Sequence, residues 1–512
     1  MYYPHEMAHT MDTLWIYGDQ LAGHWAQWAA DLGLRPGHAR ILMIESTHLL
    51  HARPWHRHKL IFTLASMRHF AAELGAVGWD VDYRTAATFA AGLRAHTADH
   101  APAHIYVMRP NNWRARQFLD AHAAEFRLHI FDDRMFIARP DDLGSARSPL
   151  MESFYRRMRR QTDLLMDGQQ PVEGRWNFDA DNRQPPTREW RRGNTADIPR
   201  LPAIEQDEIT RQVSEEVKDY PNAWGSADGF ALPVTRAAAE AWFADFVARR
   251  LPSFGAYEDA IVEGEPTLFH SVCSPLLNVG LLNPIDVCRA AEAAWRSGRA
   301  PLASVEAFIR QILGWREFVR LLYLREAPAL HNANALGAER ALPRFYWDGK
   351  TDMSCMRDAV ESVWKNGYAH HIQRLMVLCN FALLAGVRPQ EVNAWFLTTF
   401  VDAHDWVVTP NVMGMGLFAD GGIVGTKPYA ASANYLNRMG TACRSCRYHP
   451  DERIGPDACP FNALYWDFIA RHAELLGRSP RTSMPVNALR RMPHDDVTAL
   501  RQHAAEVLEA LQ

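Results

Sequence analysis

Apolar and polar positions follow two different rhythms along the 512-residue chain. From Thr13 to about Asp133 short apolar runs recur: LWIYG at 14–18, ILMIES at 41–46, WDVDYR at 79–84, HIYVMRP at 104–110 and LHIFDD at 128–133. Runs of this length read as buried strands, and the segments between them carry helical spacing. The clearest is His56 to Leu74, with Leu60, Leu64, Met67 and Leu74 along one face. Strand–helix alternation predicts an α/β domain over 11–137, built on a doubly wound parallel sheet. The turn after the first run is Gly18-Asp19-Gln20-Leu21, so the GxGxxG dinucleotide fingerprint is absent.

From 138 to 233 the chain is charged and proline-rich, which predicts an interdomain linker wrapping the surface. It contains the basic stretch Phe154-Tyr155-Arg156-Arg157-Met158-Arg159-Arg160 and the aromatic–acidic segment Trp176 to Arg183. From 234 to 512 helical periodicity dominates, with alanine-rich amphipathic stretches such as 235–250 and 285–298 between Pro/Gly breaks. The expected architecture is an α/β domain, a linker and a large all-α domain. No internal repeat is visible.

Composition narrows the class. At 48% apolar and 22% charged, the chain has the make-up of a globular protein with room for two or three cores. A net charge of −4 excludes a protein coated in basic residues, yet a local basic groove would still meet phosphates. No uninterrupted apolar stretch reaches the roughly 18 residues of a membrane span. Met1 to Thr10 lacks a cationic flank before an apolar run, so no secretory signal is expected, and Met7 or Met11 would serve equally as the start. Seven cysteines fit a disulfide framework poorly, and a cytoplasmic, monomeric enzyme is the expectation.

Four of those cysteines form a pattern. Cys443-Arg-Ser-Cys446 is a CxxC, Cys459 follows before Pro460, and Cys355 lies far upstream. A CxxC places two soft ligands on one turn, and four thiolates suit either a structural zinc ion or an iron–sulfur cluster. Spacing alone leaves both open; one distant ligand plus three clustered near the end of a helical domain favours [4Fe–4S]. Cys273, Cys288 and Cys379 lie on apolar helical faces and read as small core residues.

Several segments together resemble the photolyase/cryptochrome superfamily, specifically its bacterial iron–sulfur branch. They are Gly18-Asp19-Gln20-Leu21, Met67-Arg68-His69-Phe70, Met151 to Arg156, Leu268 to Pro275, Gly314-Trp315-Arg316-Glu317-Phe318, Tyr368 to Arg374, Phe400 to Trp406, Pro410 to Met415, and the four cysteines. They occur in the family's order over nearly the whole chain. The resemblance implies FAD in the helical domain and an antenna, 6,7-dimethyl-8-ribityllumazine, in the α/β domain. It further implies UV-damaged DNA as partner, with light-driven electron transfer to a flipped (6–4) pyrimidine–pyrimidone photoproduct.

The same resemblance distributes roles. Tyr257 and the segment His270-Ser271-Val272-Cys273-Ser274 would meet the FAD phosphates; without it, the two serines before Pro275 are simple helix caps. Trp315, Arg316, Arg374 and Asn411 would line the cofactor. Asp402 and Asp405 would offer a carboxylate to the flavin edge, but the usual Asp-x-Asp is replaced here by Asp402-Ala-His404-Asp405, so which one faces the ring stays open. His371, with His370 beside it, would donate the proton that repair requires; core packing is the plainer reading of such a pair. Eukaryotic (6–4) enzymes place a second histidine four residues later, where this chain has Leu375. Any relay must use one imidazole, water or another donor.

Trp347, Trp395 and Tyr435 would carry electrons toward the flavin, or merely pack. Arg156, Arg157, Arg160 and Arg183 would meet DNA phosphates, and Tyr429 and Met415 would flank an extruded base. Asp179 and Asp181 would hold a hydrated Mg2+ or pair with arginines. Gly18, Asp19, Gln20 and Glu45 sit where open α/β sheets bind ligands, which suits the antenna. Two further readings remain: a signalling cryptochrome with the same cofactors, and an iron–sulfur nucleic-acid-binding protein without flavin.

Overall fold

The computed structural model describes residues 11–478 and 480–510. The segment Met1 to Thr10, expected to lack a secretory signal and containing the alternative start Met7, lies outside them. The chain divides into two compact units. One comprises the residues up to Ile137 with Ala203–Trp242 and Cys273–Pro284; the other comprises Ala138–Pro202, Phe243–Val272 and Ile285–Gln512. The segment 138–233 falls in the second unit up to Pro202 and in the first from Ala203.

The first unit is built on five parallel strands: β1 (Asp12–Trp15), β2 (Ala39–Ser46), β3 (Asp80–Ala86), β4 (Ile105–Met108) and β5 (Leu128–Phe131), in the order β3-β2-β1-β4-β5. Leu14 of β1 pairs with Ile41 of β2 and with Tyr106 of β4. Inner strands covered on both faces need continuous apolar runs, and β2 is buried at every position except Arg40. Edge strand β3 buries none of its residues and is charged, which blocks further pairing. Trp15, Leu42, Ile44, Leu93, Val107 and Leu119 fill the core beside the sheet. The winding reverses between β1 and β4, which opens a crevice at the C-terminal strand ends. Gly18 lies just beyond β1; a Cβ there would come within 2.6 Å of Met67 Sδ, so only glycine fits.

The second unit is helical. Cys379 is buried in it, and so is Cys288; Cys273 is buried in the first unit. Three π-helical turns, Arg310–Arg316, Gln373–Cys379 and Pro410–Gly416, interrupt its α-helices. Such turns insert one residue and concentrate at functional sites. In the third, Pro410 lacks the N–H that would meet the Trp406 carbonyl, and Asn411 Nδ2 donates to the Val407 carbonyl at 2.8 Å. A Cβ on Gly416 would stand 2.7 Å from Cys379 Sγ, so the second and third turns touch through a glycine.

Helix Met151–Thr162 buries Phe154, Tyr155 and Met158 and leaves Arg156, Arg157 and Arg160 exposed. Arg159 is also fully buried and donates to the backbone carbonyls of Leu164, Leu165 and Trp176. Of four arginines that look alike in sequence, one is an internal strut.

Candidate active site and cysteine pocket

Three imidazoles meet in the helical unit. His371 is 44% exposed in its side chain, and its Nδ1 lies 3.1 Å from His270 Nε2. His370 is fully buried and stacks on His270, with ring centroids 4.7 Å apart at 13°. Neither nitrogen of His370 has a hydrogen-bond partner among the described residues. Burial, then the neighbouring His270 and His371, push its pKa far below the usual histidine value, so it is a neutral stacking surface. His370, expected beside His371 as catalytic, therefore packs in the core. His270, expected at the FAD phosphates, is bonded to His371.

Carboxylates close the other side. Asp259 Oδ1 is 3.5 Å from His371 Nε2. Burial works to raise the Asp259 pKa, but the neighbouring His371, with Arg183, outweighs it and holds the group below its ordinary value. Its neighbour Glu258 is pushed up to about 7 by burial, against the pull of His371. Arg183 reaches Asp259 at 3.5 Å, Glu258 at 3.7 Å and Asp179 at 3.2 Å. It remains exposed while paired with these acids. Tyr429 and Tyr435 lie within electrostatic range of Arg183 and Asp259, and burial raises both hydroxyl pKa values. Glu258 and Asp259 went unassigned in the sequence; their adjacency to Tyr257 was the only signal.

The expected flavin contacts separate cleanly. Arg374, on the second π turn, donates to Asp402 at 3.0 Å and to the Ala369 carbonyl at 2.6 Å, while its guanidinium stacks over Phe400. Asp402 is 6% exposed. Asp405 instead receives Tyr323 Oη and Thr409 Oγ1, both at 2.6 Å, and lies 3.0 Å from His331 Nε2. Asp405 thus accepts from three side chains of the fold, which take up three of the four or so lone-pair sites of a carboxylate. Arg316 pairs with Glu317 at 2.7 Å and stacks over Trp406. Trp315 and Asn411 are half-buried on their π turns.

Tyr257 packs between Trp190 and Phe269. Ser271 and Val272 end the segment belonging to the helical unit, whereas Cys273 and Ser274 open helix Ser274–Val279 of the sheet unit. Val272 has φ +54° and Leu268 φ +45°, a left-handed backbone that is costly for branched and bulky side chains.

Trp395 is fully buried, donates to the Tyr346 carbonyl at 3.0 Å and lies 5.2 Å edge-on to the Tyr346 ring, an aromatic neighbour the sequence did not suggest. Trp347 and Met415 are half-buried. Arg156 and Arg160 stack over Trp176, and Arg157 donates to the Asp142 carbonyl. Asp179 is bonded to Arg310 as well as Arg183, and Asp181 pairs with Arg175 at 2.9 Å. Of the two readings offered for these acids, arginine pairing is the one the side chains display.

In the sheet unit, Asp19 is pushed up to about 6 by burial and by Asp133. Gln20 donates to the Met108 carbonyl at 3.1 Å. Glu45 accepts from Tyr83 at 2.5 Å and Arg68 at 3.0 Å.

The four cysteines come together around one pocket with Met353, Leu436, Tyr448 and Phe461. Cys355 sits in the first turn of helix Ser354–Asn366, and Cys443 is in the short 3-10 turn Ala442–Arg444. Cys459 caps helix Pro460–Arg471, where Pro460 fits because the first helical N–H needs no partner. Burial and then the Cys446 thiol raise Cys443 to about 11, and burial lifts Cys459 to about 12. Among the described residues, the one group of three or more His, Cys, Asp or Glu ligand atoms all within 4.8 Å of one another is Asp82, His96 and His100. That trio already carries Arg84 on the Asp82 carboxylate at 2.6 Å. No three of the cysteine sulfurs are that close.

No helix among the described residues is long and apolar enough to cross a membrane. The fold is that of photolyases and cryptochromes. A bacterial class III photolyase from Agrobacterium tumefaciens superposes with a TM-score of 0.56 at 15% identity, covering 100% of both chains. A Synechocystis cryptochrome superposes with a TM-score of 0.56 at 14% identity, covering 98% of this chain and 99% of its own. Residues 14–232 match the family model for deoxyribodipyrimidine photo-lyase-related proteins. A (6-4) photolyase from Agrobacterium fabrum is 44% identical over 483 residues, 92% of this chain and 93% of the relative. The chain belongs to this family of photolyase-related proteins.

Proposed function

We propose that the protein reverses (6–4) photoproducts in UV-damaged DNA under blue light. The observation that carries this reading is His371, a partly exposed imidazole backed by two buried ones, in a chain 44% identical to a (6-4) photolyase. Reversal returns a hydroxyl from one pyrimidine to the other, so a proton must be delivered and recovered; imidazole does both near neutral pH.

Family membership implies a flavin. FAD, when bound and reduced, supplies the photoexcited electron. The residues present fit it: Arg374 and Asp402 form a buried pair, while Trp315, Arg316 and Asn411 lie on π turns of the same unit. Asp402 would accept from the flavin edge, and Arg374 compensates its buried charge. Trp395, Trp347 and Tyr435 would pass electrons inward. Exposed Arg156, Arg157 and Arg160 would hold phosphates, and Tyr429 and Met415 would border the extruded base.

The four thiols would hold a [4Fe–4S] cluster. A zinc ion with bonds of about 2.3 Å draws four sulfurs to roughly 3.8 Å from one another. The wider spacing here suits a larger iron–sulfur core. A ribityl-lumazine antenna would occupy the crevice past β1, bounded by Gly18 and Asp19. The paired state of Asp179 and Asp181 gives no support to a bound Mg2+.

The deciding experiment illuminates reduced, flavin-loaded protein with an oligonucleotide carrying one (6–4) lesion. Restored bases are expected, and their absence with flavin demonstrably bound would overturn the reading.

A further inference from the structure

We propose that His270 is a positioning residue that fixes the tautomer of His371, placing a proton on Nδ1 and leaving Nε2 as the atom that exchanges protons with the substrate. The inference rests on the functional reading above only for the identity of that substrate; the tautomer follows from the hydrogen-bond geometry together with the burial of His270.

The argument starts at the Thr267 carbonyl. His270 Nδ1 lies 3.1 Å from it, and a carbonyl oxygen can only accept, so His270 Nδ1 carries a hydrogen. The His270 ring is enclosed by stacked His370 and by Phe254, whose ring meets it edge-on at 5.5 Å. Burial, followed by the charge of His371, pushes the His270 pKa down to about 3, outweighing the backbone carbonyls of Thr267 and Glu258. The ring is neutral and holds one proton. That proton is on Nδ1, so Nε2 is a bare acceptor.

His371 Nδ1 faces that acceptor at 3.1 Å and must donate. The hydrogen bond at one ring nitrogen decides what the other does. Nε2 of neutral His371 is then basic, and Nε2–H of the cation is its transferable proton, on the side of Asp259. Free imidazole side chains in water prefer the opposite tautomer, with hydrogen on Nε2. His270 reverses that preference.

The backbone around His270 supports a purpose beyond filling space. Leu268 and Val272, two residues to either side, both adopt positive φ. A left-handed β-branched residue costs on the order of 1–3 kcal/mol and survives only where its surroundings impose it. Arg250 Nη1 donates to the His270 carbonyl at 2.8 Å and holds the turn from beneath. In this chain the second imidazole comes from a distant strained turn, while position 375 is leucine.

The test uses full-length protein labelled with 15N at histidine, in the dark and without DNA. His371 is assigned by the resonances lost in His371→Gln. Above its titration range, His371 is expected to show a protonated Nδ1 and a bare Nε2. His270→Leu should move the proton to Nε2, and His270→Gln, whose amide oxygen accepts the same N–H, should keep it on Nδ1. Repair should fall by at least ~10-fold in His270→Leu and by less than ~3-fold in His270→Gln, with flavin retained in both. A proton on Nε2 in the unsubstituted protein overturns the proposal, even if His270→Leu fails to fold. So does a tautomer unchanged in folded His270→Leu. An Nδ1 proton together with no repair would instead sink the photolyase reading and leave the tautomer assignment standing.

Discussion

The histidine pocket and the cysteine pocket belong to the same helical unit, yet they are finished to different degrees. Around His371 the chain supplies its own partners: His270, Asp259, Arg183 and the stacked His370 are in place. Around the cysteines it does not. Burial holds Cys443, Cys459 and Cys355 as neutral thiols, and Cys446 donates to the Asp352 carbonyl at a long 3.6 Å. One pocket is preorganised by side chains; the other, on the proposed reading, is a mould for an added group. Preorganised sites should fail in rate when cut, and moulds should fail in stability.

The sharpest way to break that contrast is at His371. His371→Ala should lower repair by roughly 10²–10⁴-fold, with flavin binding and thermal unfolding close to those of the parent; a comparable loss of stability would erase the distinction. Next comes Arg374→Leu, which removes a charged partner of buried Asp402. Removing one partner of a buried pair costs about 3–5 kcal/mol, readable by denaturant unfolding together with loss of the flavin spectrum. Third, chelating the iron of the proposed cluster, or Cys459→Ala, should destabilise by about 3 kcal/mol, as loss of a tightly bound group does. The His371 tautomer should stay unchanged under that treatment, and a shift would show the pockets to be coupled.

The smallest effect concerns Glu258. Its folded pKa is raised from 4.5 to about 7, so the native state binds the proton more tightly than the unfolded chain. The stability this contributes is full below about pH 4.5 and is lost as pH rises through 7. Glu258→Gln should flatten that slope and leave the variant more stable by about 1–2 kcal/mol at pH 8. Parallel stability curves for the two proteins between pH 5 and 8 would refute the assignment.

Much of the sheet unit was readable in advance because inner parallel strands leave a strong mark: the run ILMIES lies within Ala39–Ser46, buried at all positions but one. The helices were nearly as plain, His56–Leu74 against an observed Arg57–Ala76. What the sequence hid was direction. His370 and His371 are adjacent, and only the bend of the chain sends one into the core and the other toward Asp259. Asp402 and Asp405 differ because Tyr323, Thr409 and His331 reach one and Arg374 the other, contacts set by folding over long separations. Arg159 looked like its three neighbours until the helix face it occupies was known. The contact of His270 with His371 was hidden for the same reason: a turn with Leu268 and Val272 at positive φ has no signature in residue type.

The three π-helical turns have a consequence for anyone altering this protein. Each holds one residue more than a regular helix of the same span, so trimming a residue from Gln373–Cys379 would let the backbone relax into ordinary geometry. Such a shortened chain would swing Arg374 by about 100° around the helix axis, away from Asp402. The regular helical bonds gained would be set against a buried ion pair worth about 3–5 kcal/mol, so folding stability and the site together hold this segment at its present length.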